Sequence, residues 1–335
     1  MSKRTLDSFF SSTPKKQRLE GTLQPLIPVS STLYPKPNQS PRQYTNHPSY
    51  PWPIPHLPAH ISSELELLVT AQGREIKDQP HLDLLYFQPF IPKSIEREVF
   101  HFLRSELFFY RVRYTIKRFG KETVINTPRF TTVFGLDATS RFVDDGARIV
   151  EAADLDRTVR RDKYRCRPRP IPECLDLLRR VTEANTNTTY NFCLVNYYAS
   201  GSDSISFHSD DERFLGENPA IASFTLGAKR DFLMKHKLPR EGEAKLETRD
   251  IKLLLGSGDM VLMRGPTQSN WLHSIPKRKG AEADRGRVNI TFRRAMIPAG
   301  TENYYRYNVG EGGPYQWDNS RKEMVPWVRA TPDAG

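Results

Sequence analysis

Between Asn191 and Arg294 the chain breaks into apolar runs that are each long enough for one strand and too short for a stable helix. They are NFCLVNYY (191–198), AIASFTLG (220–227), RDFLMKH (230–236), DIKLLLGSGDMVLM (250–263) and RVNITFRR (287–294). Runs of this length, rich in β-branched and aromatic residues and bounded by turn residues, read as strands. GSGD (256–259) is a turn between two of them. Many short strands have to bury their apolar faces against one another, which predicts an antiparallel sandwich or barrel. Helices pack outside it. IPKSIEREVFHFLRSELF (91–108) sets Ile95, Val99, Phe102, Leu103 and Leu107 on one face, and residues 171–185 do the same with Cys174, Leu175, Leu178 and Val181. SSELELLVTA opens the globular part near Ile61, with Ser62 or Ser63 as its cap. In YRVRYTIKRFG (110–120), Val112, Tyr114 and Ile116 alternate with polar residues, so β structure begins there. The class expected is mainly β with flanking helices (α+β).

Residues 1–60 differ in kind. They hold eleven of the 26 prolines and carry seven basic against two acidic side chains, with no sustained apolar period. Such a segment cannot bury enough apolar surface to order itself, so a disordered basic tail is expected. No apolar run reaches the ~18 residues of a membrane span, and MSKRTLDSFF lacks the apolar stretch of a secretory signal. Three cysteines without CxxC spacing argue against a disulfide scaffold or a structural zinc site. The net charge of +11 points to a polyanionic partner, nucleic acid first.

The chemistry-bearing residues are few. His208 and Asp210 lie two apart in SFHSDDE, and on extended backbone such residues share a face. His273, in NWLHSIP, is the best-placed third ligand. Two imidazoles and a carboxylate suit a ferrous ion with three open positions; catalytic zinc is the alternative. Arg287, Asn289, Thr291 and Arg293 fall on one face of a strand, and such a row is costly inside a barrel unless it meets an anion. Arginine holds a carboxylate through two parallel hydrogen bonds, so a dicarboxylate bound to the metal at one end fits the row. Asn196 and Tyr198, ten residues before His208, offer an amide and a hydroxyl to the same molecule.

Taken together, N-x-Y, H-x-D-D-E, W-x-H-S-x-P and R-x-N-x-T-F-R resemble the AlkB-type Fe(II)/2-oxoglutarate dioxygenases, in particular their nuclear eukaryotic DNA-dealkylating members. The likeness covers roughly residues 88–297. It implies a double-stranded β-helix (jelly-roll) core at about 188–297 behind a nucleotide-recognition lid at about 110–170, in a dioxygenase domain of 61–300. It implies iron on His208, Asp210 and His273, with 2-oxoglutarate held by Asn196, Tyr198, Arg287, Asn289 and Arg293, and O2 as co-substrate. The activity implied is oxidative demethylation of bases such as 1-methyladenine and 3-methylcytosine in DNA, with base flipping and release of formaldehyde. Asp211 and Glu212 match the acidic pair facing the base. Within the lid, Phe119 in RFGK matches an aromatic wedge and Arg129 in TPRFTTVFG its basic neighbour. Arg230 and Asp231 match the family's Arg-Asp pair. The stacking aromatic is left open among Phe142, Phe134 and Tyr164, because residues 143–163 read as an insertion. RTVRRDKYRCRPR (157–169), with seven basic residues, is a candidate phosphate contact. Residues 301–335 form an extension without an assigned role.

In the tail, Lys3, Leu6, Phe9 and Phe10 resemble the peptide by which repair proteins dock on the sliding clamp PCNA, with Lys3 in place of the usual Gln. Lys3-Arg4 and KKQR (15–18) resemble a bipartite nuclear import signal. A nuclear, monomeric DNA-repair dioxygenase with no membrane attachment is expected. The competing readings are an RNA demethylase of the same chemistry and a non-catalytic nucleic-acid-binding module.

Overall fold

The structure, a computed structural model, describes residues 43–70, 72–118, 121–239, 246–310 and 312–329. Two antiparallel sheets form the core. The larger has seven strands in the order Arg74–Ile76, Leu84–Phe87, Met260–Met263, Ile221–Gly227, Arg287–Arg293, Phe192–Tyr198 and Phe130–Gly135. The smaller has four, in the order Ile205–His208, Trp271–Ile275, Arg230–His236 and Ile251–Leu255. From residue 192 the chain crosses repeatedly between the sheets, which is the jelly-roll path. All five apolar runs are strands, and the fourth is two strands joined at its GSGD turn.

Period-two alternation sorts the larger sheet's side chains into two layers. Val288, Ile290 and Phe292 face outward with Cys193, Val195 and Tyr197, and are covered by Val99, Phe100 and Leu103 and by Cys174, Leu175 and Leu178. Those residues lie on the helices Glu96–Glu106 and Glu173–Thr186. On the other face Phe192, Leu194, Tyr198 and Val261 meet Phe232, Met234, Leu255 and Trp271 of the smaller sheet. Burying each of these large side chains contributes about 1.5–3 kcal/mol. The odd-numbered residues 287–293 point between the sheets as well, so the sandwich interior carries a buried polar row.

Three departures from the sequence reading matter. Residues 50–57 are ordered: Tyr50, Ile54 and Leu57 are buried in the outer core, and the Trp52 indole donates to the Glu106 carbonyl. Prolines between these residues leave no period to detect. Secondly, the helix Ala59–Glu66 starts before both serines, with Pro58 at its N-cap and no side-chain capping bond. Thirdly, residues beyond 300 belong to the fold. A helix, Pro298–Val309, is followed by a hairpin, Tyr315–Asp318 with Glu323–Pro326, which docks through a Phe109–Tyr315 bridge. The Arg104 guanidinium lies 3.8 Å from the Trp317 ring centre. The segment read as an insertion contributes to a three-stranded sheet of Ser140–Val143, Arg148–Glu151 and Asp154–Thr158. A hairpin, Arg113–Arg118 with Lys121–Asn126, precedes it.

Candidate functional site

The site lies between the sheets, at the mouth formed by two neighbouring strands of the smaller one. His208 ends one strand and His273 sits directly opposite it in the register of the next. Their ring centres are 4.2 Å apart. Asp210 follows two residues on, its backbone N–H held at 2.9 Å by the buried Gln268 side chain. One ligand atom from each of the three lies within 4.8 Å of the others, which one small cation could span.

Orientation comes from the surroundings. His208 Nδ1 lies 2.8 Å from the Ser206 carbonyl, so this nitrogen carries the proton and Nε2 keeps its lone pair. His273 stacks on Phe232, with ring centres 5.5 Å apart. Burial, with the second imidazole beside it, holds His273 down at about 3, and burial lowers His208 too. Both rings are therefore neutral at physiological pH, the form that ligates metal. Burial alone would raise the Asp210 carboxyl; the Arg293 guanidinium beside it holds it well below the usual carboxylate range.

The strand Arg287–Arg293 runs through the sheet interior with strands on both sides, so its polar row is not an edge. Arg293 donates to Asp210 Oδ2 at 3.0 Å and to Thr291 Oγ1 at 3.1 Å. Asn289 donates to Ser223 Oγ at 3.0 Å and to the Phe224 carbonyl at 2.7 Å. Asn196 lies beside it and accepts a bond from Arg129 Nε at 3.0 Å. At the far end Arg287 is 1% exposed and donates to Thr225 Oγ1; its Nε and Nη1 are buried without a partner among the described residues. Burial lowers Arg287 to about 10. Tyr198 lies between two cations, its ring centre 5.1 Å from the Arg287 guanidinium and 5.5 Å from that of Arg230. Unsatisfied nitrogens on a buried guanidinium are expensive unless an anion meets them, and a carboxylate supplies the charge-assisted acceptor they lack. The residues thus fit a divalent metal at one end and a carboxylate at the other.

The two acids after Asp210 differ. Asp211 accepts from Lys237 Nζ at 2.6 Å. Glu212 accepts from the Tyr304 hydroxyl at 3.2 Å, while its Oε2 is buried without a partner. Burial and the adjacent Asp210 charge push Glu212 up to about 7. Sequence reasoning missed Tyr304 and Gln268, because neither falls within a quoted motif. Arg230 donates to the Asp203 and Pro276 carbonyls, and Asp231 pairs with Lys252 at 3.2 Å.

The remaining predicted residues are placed apart. Phe142 meets His47 edge-on at 6.3 Å, on the three-stranded sheet. Phe134 is fully buried in the outer core, and the Tyr164 hydroxyl donates to Asp137 at 2.6 Å. Within the basic run, Arg169 is buried against Phe108 and Tyr110, and Lys163 pairs with Glu151 at 2.5 Å, so neither is free for phosphate. Phe119, Leu6, Phe9 and Phe10 lie outside the described residues.

A family model described as the 2OG-Fe(II) oxygenase superfamily matches residues 83–293. The chain is 31% identical over 242 residues to the DNA oxidative demethylase ALKBH2 of Arabidopsis thaliana, covering 68% of this chain and 71% of that protein. It is 38% identical over 130 residues to human DNA oxidative demethylase ALKBH2, covering 39% and 49%. To mouse alpha-ketoglutarate-dependent dioxygenase alkB homolog 3 it is 41% identical over 128 residues, covering 38% and 43%. The chain spans about half the length of these mammalian relatives.

Proposed function

The chain belongs to the 2OG-Fe(II) oxygenase superfamily, on its AlkB-type branch, and on that premise we propose that it removes methyl groups from base nitrogens in DNA. Fe(II), 2-oxoglutarate and O2 are the cofactor and co-substrates that membership brings. The observation that carries the reading is the His208–Asp210–His273 convergence within 4.8 Å, in line with a buried arginine row.

In this reading His208, Asp210 and His273 hold the iron. Arg287, a buried guanidinium with nitrogens left unpaired, pairs with the distal carboxylate of 2-oxoglutarate, with Tyr198 beside it. Arg293 and Asn196 line the stretch between, and Asn289 keeps Asn196 in line through its own bonds to Ser223 and Phe224. When bound, iron with 2-oxoglutarate and O2 would supply the oxidising chemistry at the methyl carbon, 2-oxoglutarate leaving as succinate and CO2 and the hydroxymethyl group as formaldehyde, which restores the base. The chain's own work is to orient these partners in a dry cleft and to hold the methyl group near the metal. The base must leave the helical stack to reach the cleft. Residues 110–170 act as the lid, with Phe119 as wedge and Arg129, hydrogen-bonded to Asn196, joining lid to site. Phe142, on the three-stranded sheet, is a further lid aromatic toward the base. Asp211 and Glu212 favour a base made cationic by methylation.

Residues 3–10 dock on PCNA through Leu6, Phe9 and Phe10, and the basic N-terminal signal directs the monomeric protein to the nucleus. Deleting residues 1–12 is expected to abolish clamp binding with turnover intact; unaltered clamp affinity refutes this part. The substrate reading is tested by formaldehyde release from 1-methyladenine in duplex DNA, single-stranded DNA and RNA. Turnover is expected on DNA, and turnover on RNA alone overturns the proposal.

A further inference from the structure

We propose that the helix Pro298–Val309 is a wall of the base pocket, and that Tyr304 is a positioning residue that holds Glu212 toward a cationic base; this rests on the function proposed above.

The helix is fixed to the loop that carries the acids. Pro298 starts it, where a missing N–H costs nothing. Gly300 lies so close to Phe214 that a Cβ there would sit 1.7 Å from Phe214 Cγ. Only glycine allows this approach. The Met296 N–H reaches the Phe214 carbonyl at 2.7 Å. Phe214 belongs to the short turn Arg213–Leu215, which begins directly after Glu212. At the next helical position the Tyr305 hydroxyl donates to the Gly135 carbonyl at 3.0 Å and accepts from the Arg169 N–H at 2.7 Å. The helix is thus tied both to the acid loop and to the end of the strand Phe130–Gly135.

Tyr304 projects from it into the site. Its ring meets Phe192 and Phe214 edge-on, at 5.5 and 5.3 Å, and the Arg293 guanidinium lies 5.2 Å from its centre. Its hydroxyl donates to Glu212 Oε1. The charge of Asp211 is already met by Lys237. Glu212 Oε2 is the acceptor left over, buried and unpartnered, beside the metal-ligand cluster. A carboxylate with one oxygen fixed by a phenol presents the other in a set direction, as recognition of an exocyclic amino group requires.

The test compares full-length wild type with Tyr304→Phe on oligonucleotides carrying 1-methyladenine, a cation, or 3-methylthymine, a neutral base. The variant is expected to lower the ratio of kcat/KM for the cationic over the neutral lesion about tenfold, the scale of one hydrogen bond to a charged group. The loss falls on KM for the cationic lesion, with KM for 2-oxoglutarate unchanged. Affinity for the 1-methyladenine strand, measured by fluorescence anisotropy without O2 on Mn(II)-loaded protein, falls in parallel. An unchanged ratio, or equal losses on both lesions, overturns the role of Tyr304. If the wild type processes neither lesion, the proposed function fails as well.

Discussion

Arg293 donates to Asp210 Oδ2 across 3.0 Å, and both side chains are 4% exposed. The same carboxylate oxygen lies 3.9 Å from His273 Nε2. A ligand cluster with one negative charge is therefore already neutralised by the arginine at the end of the polar row, and metal and guanidinium compete for a single carboxylate.

Removing the guanidinium leaves a buried charge unpaired. Arg293→Met is expected to cost the metal-free protein about 3–5 kcal/mol. Saturating Mn(II) recovers a large part, because the ion then meets Asp210 instead. Urea unfolding with EDTA and with Mn(II) measures both. Equal stability of variant and wild type in EDTA contradicts the account.

The pH dependence of metal binding follows from the imidazoles. An ordinary pair near 6.5 would lose metal affinity about a hundredfold between pH 7.5 and 5.5, a factor of ten per ring. His273 is held at about 3 and His208 is also lowered, so affinity is expected to fall by much less than a hundredfold over that window. The sign for stability runs the other way. Between about 3 and 6.5 the unfolded chain binds the proton that folded His273 refuses, so stability declines as pH drops below 6.5. Mn(II) titrations at pH 7.5, 6.5 and 5.5 decide the first point; a hundredfold loss refutes it.

Arg287 is the anchor for the far carboxylate. Arg287→Met removes the buried guanidinium, and KM for 2-oxoglutarate is expected to rise about a hundredfold, the scale of truncating one partner of a buried charge pair. KM for the DNA strand moves little. An unaltered KM for 2-oxoglutarate shows that the carboxylate sits elsewhere.

Strands were legible where a period of two was written into short runs, as in RVNITFR, whose alternate residues face helices and sandwich interior. His208 and His273 share no local pattern; antiparallel pairing of their strands brings them together, and only the motif set pointed to it. Tyr304 was illegible because it lies on a helix outside those motifs, 92 positions from the Glu212 to which it donates. Residues 44–57 were hidden by prolines that interrupt every period, although Ile54 is fully buried. Charge is the one signal in the basic run 157–169, and it cannot separate a solvated arginine from Arg169, buried against two aromatic rings.

Asp210→Ala tests the central claim most directly, with Fe(II) binding and formaldehyde release from 1-methyladenine in duplex DNA measured on the same preparation. The account predicts that the folded variant binds no iron at concentrations that saturate wild type and releases no formaldehyde above background. Wild-type iron affinity and turnover in that variant would contradict it.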